Sequence, residues 1–396
     1  MQTHYDAIVI GLGAMGSAAL YQLARSGAQV LGFDQFRPPH TLGSSHGESR
    51  ITRLAIGEGA AYVPFAQRSH ALWRELEAES GATLLTLSGG LIICPMGGGA
   101  QFHGQADFVD HTAAIANQFA IDHQVWDAAA TRQRWPHLRI TEREHAYYEP
   151  TGGIVAVERA IETQIKLAKQ RGAAVRLEER VISYKNDENG VAVTTKEGVY
   201  HADKVILSAG PWLSQLLPSA LAKPFSVYRQ VIYWFEAEEP VDFRTDRFPF
   251  LIWIGDRQEE FFSMFPYEEG ATAGAKVVTE EYLQTVTPIT VDRTVHAHEV
   301  ERMYHDFVAR RVSGILPRCL KTDVCLYTTT PDEHFIIDFH PENERVIVAS
   351  PCSGHGFKHS AAIGETLAQL ALTGKSDLDI TLFRFGRIGN TKKIRG

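Results

Sequence analysis

Cysteine is scarce: four residues in 396 (Cys94, Cys319, Cys325 and Cys352), no two of them in C-x-x-C spacing. So few, so scattered, they exclude a disulfide scaffold and offer no zinc motif, so no metal is expected. Long apolar runs are also missing. No stretch reaches the roughly 18 residues of a spanning helix, and no membrane partner is expected. Basic residues are outnumbered, 39 Lys and Arg against 47 Asp and Glu, for a net charge of -8. That argues against nucleic acid or an anionic surface as the main partner. The first strand begins near residue 5, leaving no room for a leader, so a cytoplasmic location is expected. Internal repeats and low-complexity tracts are absent. What remains is an ordinary globular composition, 44% hydrophobic and 22% charged, long enough for two or three domains with sizeable cores.

The chain is organised around its beginning. Residues 7–10 form an apolar run that reads as a buried parallel strand. It leads into Gly11, Gly13 and Gly16, spaced G-x-G-x-x-G, then a helical stretch over 17–25 and a second short strand, 30–33, ending on Asp34. Each glycine has a task. Gly11 permits the tight turn, Gly13 admits a pyrophosphate to the backbone, and Gly16 lets helix and strand pack closely. The helix start offers N–H groups to the phosphates, and Asp34 can accept from an adenosine ribose. Whether the dinucleotide is NAD or FAD stays open on this stretch alone.

Residues 35–53 form a long irregular connection carrying His46, Arg50 and Arg53, and such loops are usually functional. Helices are expected over 62–76, 158–171, 298–311 and 360–372. Strands are expected over 84–94, 174–177, 181–184, 191–195, 198–201, 204–210, 230–236, 250–254 and 345–349. The buried run 204–210 ends on glycine, as a strand of the first sheet would, so the chain leaves the nucleotide-binding domain and returns to it. The fold class expected is α/β plus α+β: a discontinuous Rossmann-like domain (1–85, 150–222 and 321–385), a substrate domain on a mainly antiparallel sheet (86–149 and 223–320), and a C-terminal tail (386–396). A Gly-rich loop before the last helix is a second nucleotide-contacting feature. A helix start aimed at a flavin's pyrimidine end would favour the anionic reduced ring and does nothing obvious for NAD.

Several motifs carry a family resemblance: the fingerprint with Asp34, residues 38–41 (PPHT), 43–53 (GSSHGESRITR), 57–59 (GEG), 62–64 (YVP) and 228–230 (YRQ). Most specific are 325–328 (CLYT) with 331–338 (PDEHFIID), and 353–358 (SGHGFK). With these the sequence resembles the monomeric sarcosine oxidase and N-methyl-amino-acid oxidase family, within the wider D-amino-acid-oxidase-like FAD flavoproteins. The resemblance spans essentially the whole chain.

The resemblance implies FAD, attached as an 8α thioether to Cys325, with Cys319 a nearby competitor outside the matching pattern. It implies that Arg53 and Lys358 hold the substrate carboxylate, with Tyr327 and the Gly354 carbonyl lining the same cavity. A buried carboxylate needs cationic partners, and Arg and Lys supply them in different geometries. Arg50 and His46 fall beside the flavin ring and would add positive potential. Lys276 falls near flavin N5, where it would speed the reaction with oxygen. Gln35, Ser44, Val181, Gly210 and Gly356 complete the implied cofactor edge, which Gly354 and Lys358 join. His334 and Asp338 belong to the motif with either a structural or a catalytic part. Where sarcosine-specific members carry a pocket tyrosine and histidine, this chain offers Ser263 and Glu280, with Trp253, Phe262, Phe265 and Tyr267 crowding the same region. A substrate bulkier or more cationic than sarcosine is therefore expected.

The expected function is oxidation of the C–N bond of a secondary or N-methylated amino acid, with oxygen reduced to hydrogen peroxide, by a monomer. A flavin dehydrogenase, or an oxidase of cyclic or glycated amino acids, is the alternative. A dinucleotide-binding protein without redox turnover is the reading outside enzymes.

Overall fold

A computed structural model describes residues 4–268, 270–272 and 274–390. Positions 391–396 of the expected tail lie outside the described residues.

The first sheet is built on the fingerprint strand. His4–Ile10 pairs in parallel with Val30–Phe33 on one side and Val199–Leu207 on the other. Its apolar residues are 0–5% exposed from Ala7 to Ile10, as a strand covered on both faces must be. Val199–Leu207 is one nine-residue strand rather than the two expected over 198–201 and 204–210. Its first half pairs with the hairpin strand Gly190–Thr194 and its second with Asn343–Ser350. The helix Ala14–Arg25 covers this sheet, packed between Val157–Gln170 and Ser360–Thr373. A Cβ on Gly364 would stand 2.3 Å from Ala18 Cβ, so only glycine allows that crossing.

The second sheet runs in the order Ile315–Thr329, Ser226–Ala237, Ala275–Val278, Phe262–Phe265, Phe250–Trp253, Gly90–Pro95, Glu144–Glu149, Gln124–Asp127. All its pairs are antiparallel except Phe250–Trp253 with Gly90–Pro95. Alternation divides its faces. Tyr233, Phe235, Trp253, Phe262 and Met264 bury one face against Met303, Phe307 and Val308. Ile232, Trp234 and Cys325 occupy the other.

The structure differs from expectation in other places as well. Residues 84–94 are two strands in different sheets, Leu85–Leu87 and Gly90–Pro95, separated at Gly89 with φ +76°. The expected helix 298–311 is Ala297–Arg302, a π turn Met303–Val308 and Ala309–Arg311. Val181 precedes its strand, which starts at Ser183. Within the long connection, Ser49–Thr52 pairs with Gly153–Ala156, which also pairs with Leu85–Leu87, in a small three-stranded sheet.

A Cβ on Gly16 would fall 1.7 Å from the Gly11 carbonyl oxygen. Gly16→Ala therefore costs about 1–3 kcal/mol in denaturant unfolding and lowers flavin content. Gly198→Ala, where a Cβ meets nothing within 4 Å, is the matched control and leaves both unchanged.

Candidate active site

A cleft enclosing about 1480 Å³, its solvent-filled mouth included, runs from the fingerprint to the end of Ile315–Thr329. Among its walls are Gly11, Gly13, Asp34, Gln35, Ser44, Arg50, Val181, Gly210, Tyr327, Gly354 and Gly356, all expected at the cofactor or substrate. Gly11 has φ +92°, and a Cβ there would reach Ser208 O at 2.7 Å. At Gly13 the nearest atom to a Cβ is Ser45 Oγ, at 3.5 Å, so the backbone is open to the cavity. The helix Ala14–Arg25 starts there with no cap from its N-cap residue Gly13; Ala14 N donates to Ser45 Oγ at 3.3 Å, and the helix start presents its N–H groups to a phosphate. Asp34 accepts from Leu12 N and Phe36 N, each at 2.8 Å. Burial raises its pKa, and those two N–H groups partly offset the shift. Each oxygen keeps a lone pair for a ribose hydroxyl. The open glycine backbone, the helix start and the buried acid fit the pyrophosphate and the adenosine ribose of FAD.

Arg53 and Lys358, 305 positions apart in the chain, meet on one carboxylate. Arg53 Nη2 donates to Glu58 Oε2 at 2.6 Å and Lys358 Nζ to Glu58 Oε1 at 3.0 Å. Arg53 Nε also donates to Ala55 O at 3.1 Å, and Lys358 Nζ to His355 O at 2.8 Å. The three side chains are at most 4% exposed. Burial opposes the Glu58 charge, yet Arg53 and Lys358 outweigh it and hold the carboxyl well below its ordinary value. Burial pushes Lys358 down to about 8, with Glu58 working the other way. A second ring encloses them: His103 Nδ1 lies 2.7 Å from Glu333 Oε2, and the His355 ring lies between His103 and Tyr62. Glu58 stood in the quoted 57–59 motif without a role. The signal for it was an acid five residues from an arginine that chemistry required to be buried. His103 carried no such signal.

Beside the cavity, Arg50 Nη2 donates to Ser44 O at 3.0 Å and lies 3.7 Å from Cys325 Sγ. Cys325 is 1% exposed, and burial raises its thiol pKa. In a regular strand, residues 319 and 325 would share a face. The register slips between them, however, with Lys321 opposite Trp234 and Cys319 opposite Phe235. Cys319 accordingly packs on the far core, away from Cys325. Cys352, which the sequence did not single out, lines the cavity itself.

His46 calls for a correction. Burial, with Arg50 next, pushes it down to about 3, so it is neutral and adds no positive potential. Lys276 is buried away from the main cavity, behind residues 47–49. Its Nζ donates to Gly47 O, Ser49 O and Ser49 Oγ at 3.0, 2.6 and 2.7 Å. Burial, then Arg50, takes it well below an ordinary lysine. His334 bonds Tyr62 Oη at 2.7 Å, and Asp338 accepts from Phe385 N at 3.0 Å.

The opposite wall is partly as expected. A Cβ on Gly354 would meet Glu280 Oε1 at 2.8 Å, Tyr327 at 3.1 Å and Tyr282 Oη at 3.3 Å, so Glu280 faces the substrate end. Ser263 and Phe265 pair with Val278 and Lys276, on the face away from the far core. Trp253 and Phe262 do not crowd this wall. They belong to that far core, where Trp253 Nε1 bonds Glu144 at 2.7 Å.

The family model for FAD dependent oxidoreductases matches residues 6–370. Monomeric sarcosine oxidase of Streptomyces avermitilis is 40% identical over 387 residues, 97% of each chain. N-methyl-L-tryptophan oxidase of Salmonella enteritidis is 33% identical over 383 residues, 97% of this chain and 99% of that one. The open form of NikD, described as an unusual amino acid oxidase, shares the fold with TM-score 0.82 at 21% identity, over 97% of this chain and 98% of that one. With the dinucleotide cavity and the buried cationic cluster, these matches make the chain an FAD-dependent oxidoreductase. Within that class it belongs to the branch of the monomeric sarcosine oxidases and N-methyl-amino-acid oxidases.

Because Lys358 titrates near 8, affinity for a carboxylate ligand lacking an amine falls as pH rises through that value. Flavin difference titrations read this directly, and Lys358→Met removes the alkaline limb. Glu58→Gln strands two buried cations and costs about 3–5 kcal/mol of stability, read by denaturant unfolding.

Proposed function

We propose that this enzyme oxidises secondary or N-methylated amino acids. One observation carries the reading: a buried cluster of two cations and one carboxylate, Arg53, Lys358 and Glu58, beside a dinucleotide cavity. The cluster keeps an excess positive charge that a substrate carboxylate neutralises. Arg53 offers a planar fork and Lys358 a point charge, which together orient the donor carbon. Glu280 and the Gly354 carbonyl face the amine end, matching a zwitterion and favouring a cationic or bulky secondary amine. Bound FAD supplies the two-electron acceptor. In the net reaction the C–N bond becomes an imine, water hydrolyses it to a carbonyl compound and the shortened amine, and oxygen takes two electrons and two protons as hydrogen peroxide.

FAD is held covalently through Cys325. The slip in register that turns Cys319 away supports this, as do Arg50 and Ser44 around its sulphur. Replacing a methyl C–H bond by C–S releases two electrons and two protons, which oxygen accepts. Lys276 acts on the oxygen reaction, and Arg50 stabilises negative charge on the ring side. The division into a cofactor lobe and a substrate lobe carries forward, with residues 321–329 moved to the substrate sheet. A monomer in the cytoplasm completes the reading. In support, the Streptomyces relative is named as monomeric, and no helix among the described residues is long and apolar enough to cross a membrane. A flavin dehydrogenase is the second reading, favoured by one observation: all three Lys276 donors are spent on residues 47–49.

An anaerobic bleaching screen tests the function, using N-methyl, cyclic and glycated amino acids beside the same amines without a carboxylate. Bleaching that requires the carboxylate, with peroxide formed on admitting air, is the expected result. Bleaching indifferent to the carboxylate overturns it, and bleaching without peroxide selects the dehydrogenase. Lys276→Met is expected to slow reoxidation about 100-fold with bleaching intact. Cys325→Ser is expected to release FAD on acid precipitation; retention moves the attachment to Cys352 or Cys319.

A further inference from the structure

Away from the flavin cavity, three side chains converge that the sequence left unconnected. Cys94 and His145 stand directly opposite each other on the antiparallel strands Gly90–Pro95 and Glu144–Glu149. Asp107 is the N-cap of the helix Phe108–Gln118, its side chain accepting from Asp110 N at 3.2 Å. The donor atoms form a nearly equilateral triangle. Cys94 Sγ is 3.5 Å from His145 Nε2 and 3.8 Å from Asp107 Oδ1, and His145 Nε2 is 3.6 Å from Asp107 Oδ1.

From this triangle we infer a metal site of the zinc class, ligated by Cys94 Sγ, His145 Nε2 and Asp107 Oδ1, with water in the fourth position. Metal–ligand bonds of about 2.0–2.3 Å at tetrahedral angles hold their donors about 3.3–3.6 Å apart. The observed edges need to contract by only a few tenths of an ångström. Thiolate, imidazole and carboxylate together select a borderline transition cation, and the sulphur excludes calcium and magnesium. The other ring nitrogen, His145 Nδ1, lies 3.9 Å from Asp110 Oδ1, the acid that would orient a ligating imidazole. Burial is graded as an ion-entry path requires: Cys94 is 1% exposed and the Asp107 side chain 26%. Ligation releases the Cys94 proton to solvent.

The same residue types could serve a nucleophilic thiol. Cys94 at 1% exposure admits no substrate, however, and the helix start beside it is capped by the Asp107 carboxylate, 3.8 Å from the sulphur, which opposes a free thiolate. An ion here would tie two strands to a helix start and close the segment 96–107. That segment carries His103 to Glu333 beside the substrate cluster. The ion is thus a structural clamp on one wall of the active site.

The test uses the flavin-loaded enzyme, dialysed against a chelator and titrated with cobalt(II), then zinc. Expected are one ion per chain, tetrahedral cobalt bands in the red beyond flavin absorption, and one sulphur neighbour at about 2.3 Å in zinc-edge absorption. Cys94→Ser abolishes these signals. Asp107→Asn, which keeps the helix cap, and Asp110→Asn each weaken binding about 10-fold or more, with flavin content reporting that the variants fold. Lack of stoichiometric binding, a zinc shell without sulphur, or affinity unchanged in Cys94→Ser would each overturn the inference. Should Cys94→Ser fail to fold, the sulphur shell and Asp110→Asn decide.

Discussion

Glu58 is the constraint on which the site depends. Burying an arginine and a lysine within reach of each other is untenable without an anion between them. Glu58 makes the arrangement stable while leaving it short of one negative charge. The protein thereby stores, in its folded state, an electrostatic demand that its own side chains leave unmet. Neither cation reaches Glu58 alone: Arg53 follows the small sheet strand Ser49–Thr52, and Lys358 sits in the turn Phe357–His359 that opens the last helix.

The rest of the molecule brings those two places beside the dinucleotide cavity. The parallel sheet and its three packed helices hold the fingerprint rigid. The second sheet presents one face to that lobe and buries the other. Because the faces alternate strictly, Cys325, Trp234 and Lys276 can look inward while Tyr233, Phe262 and Met264 form a separate core. One register slip decides which cysteine joins the inward set. Charge is rationed on that inward face. His46 is too deeply buried, and too close to the Arg50 guanidinium, to carry a proton.

Much of this was legible before folding. The strand, glycines, helix and Asp34 are contiguous, so their joint meaning is a local property of the chain. The paired cations were legible because a zwitterionic substrate demands them and the motifs around them are specific. The exclusion of Trp253 and Phe262 from the pocket was not legible. Four-residue strands carry no mark of which face will point to the ligand until their partners are in register. His103 was equally hidden, since nothing near it in sequence shares its function. Cysteine spacing pointed away from metal, because spacing sees only neighbours along one strand or loop, whereas Cys94 and His145 are neighbours across a ladder.

By itself, then, the sequence determined the nucleotide lobe, encoded in one contiguous stretch whose residues act together without help from distant ones, while the flavin and the cations Arg53 and Lys358 were read through the motifs of a family resemblance. Tertiary structure alone decided that Glu58 lies between the cations, that Cys325 and not Cys319 turns inward, that His46 is neutral, and that Cys94, Asp107 and His145 converge. These are matters of strand register and depth of burial, which come into being only when remote segments pack and water is removed from between them.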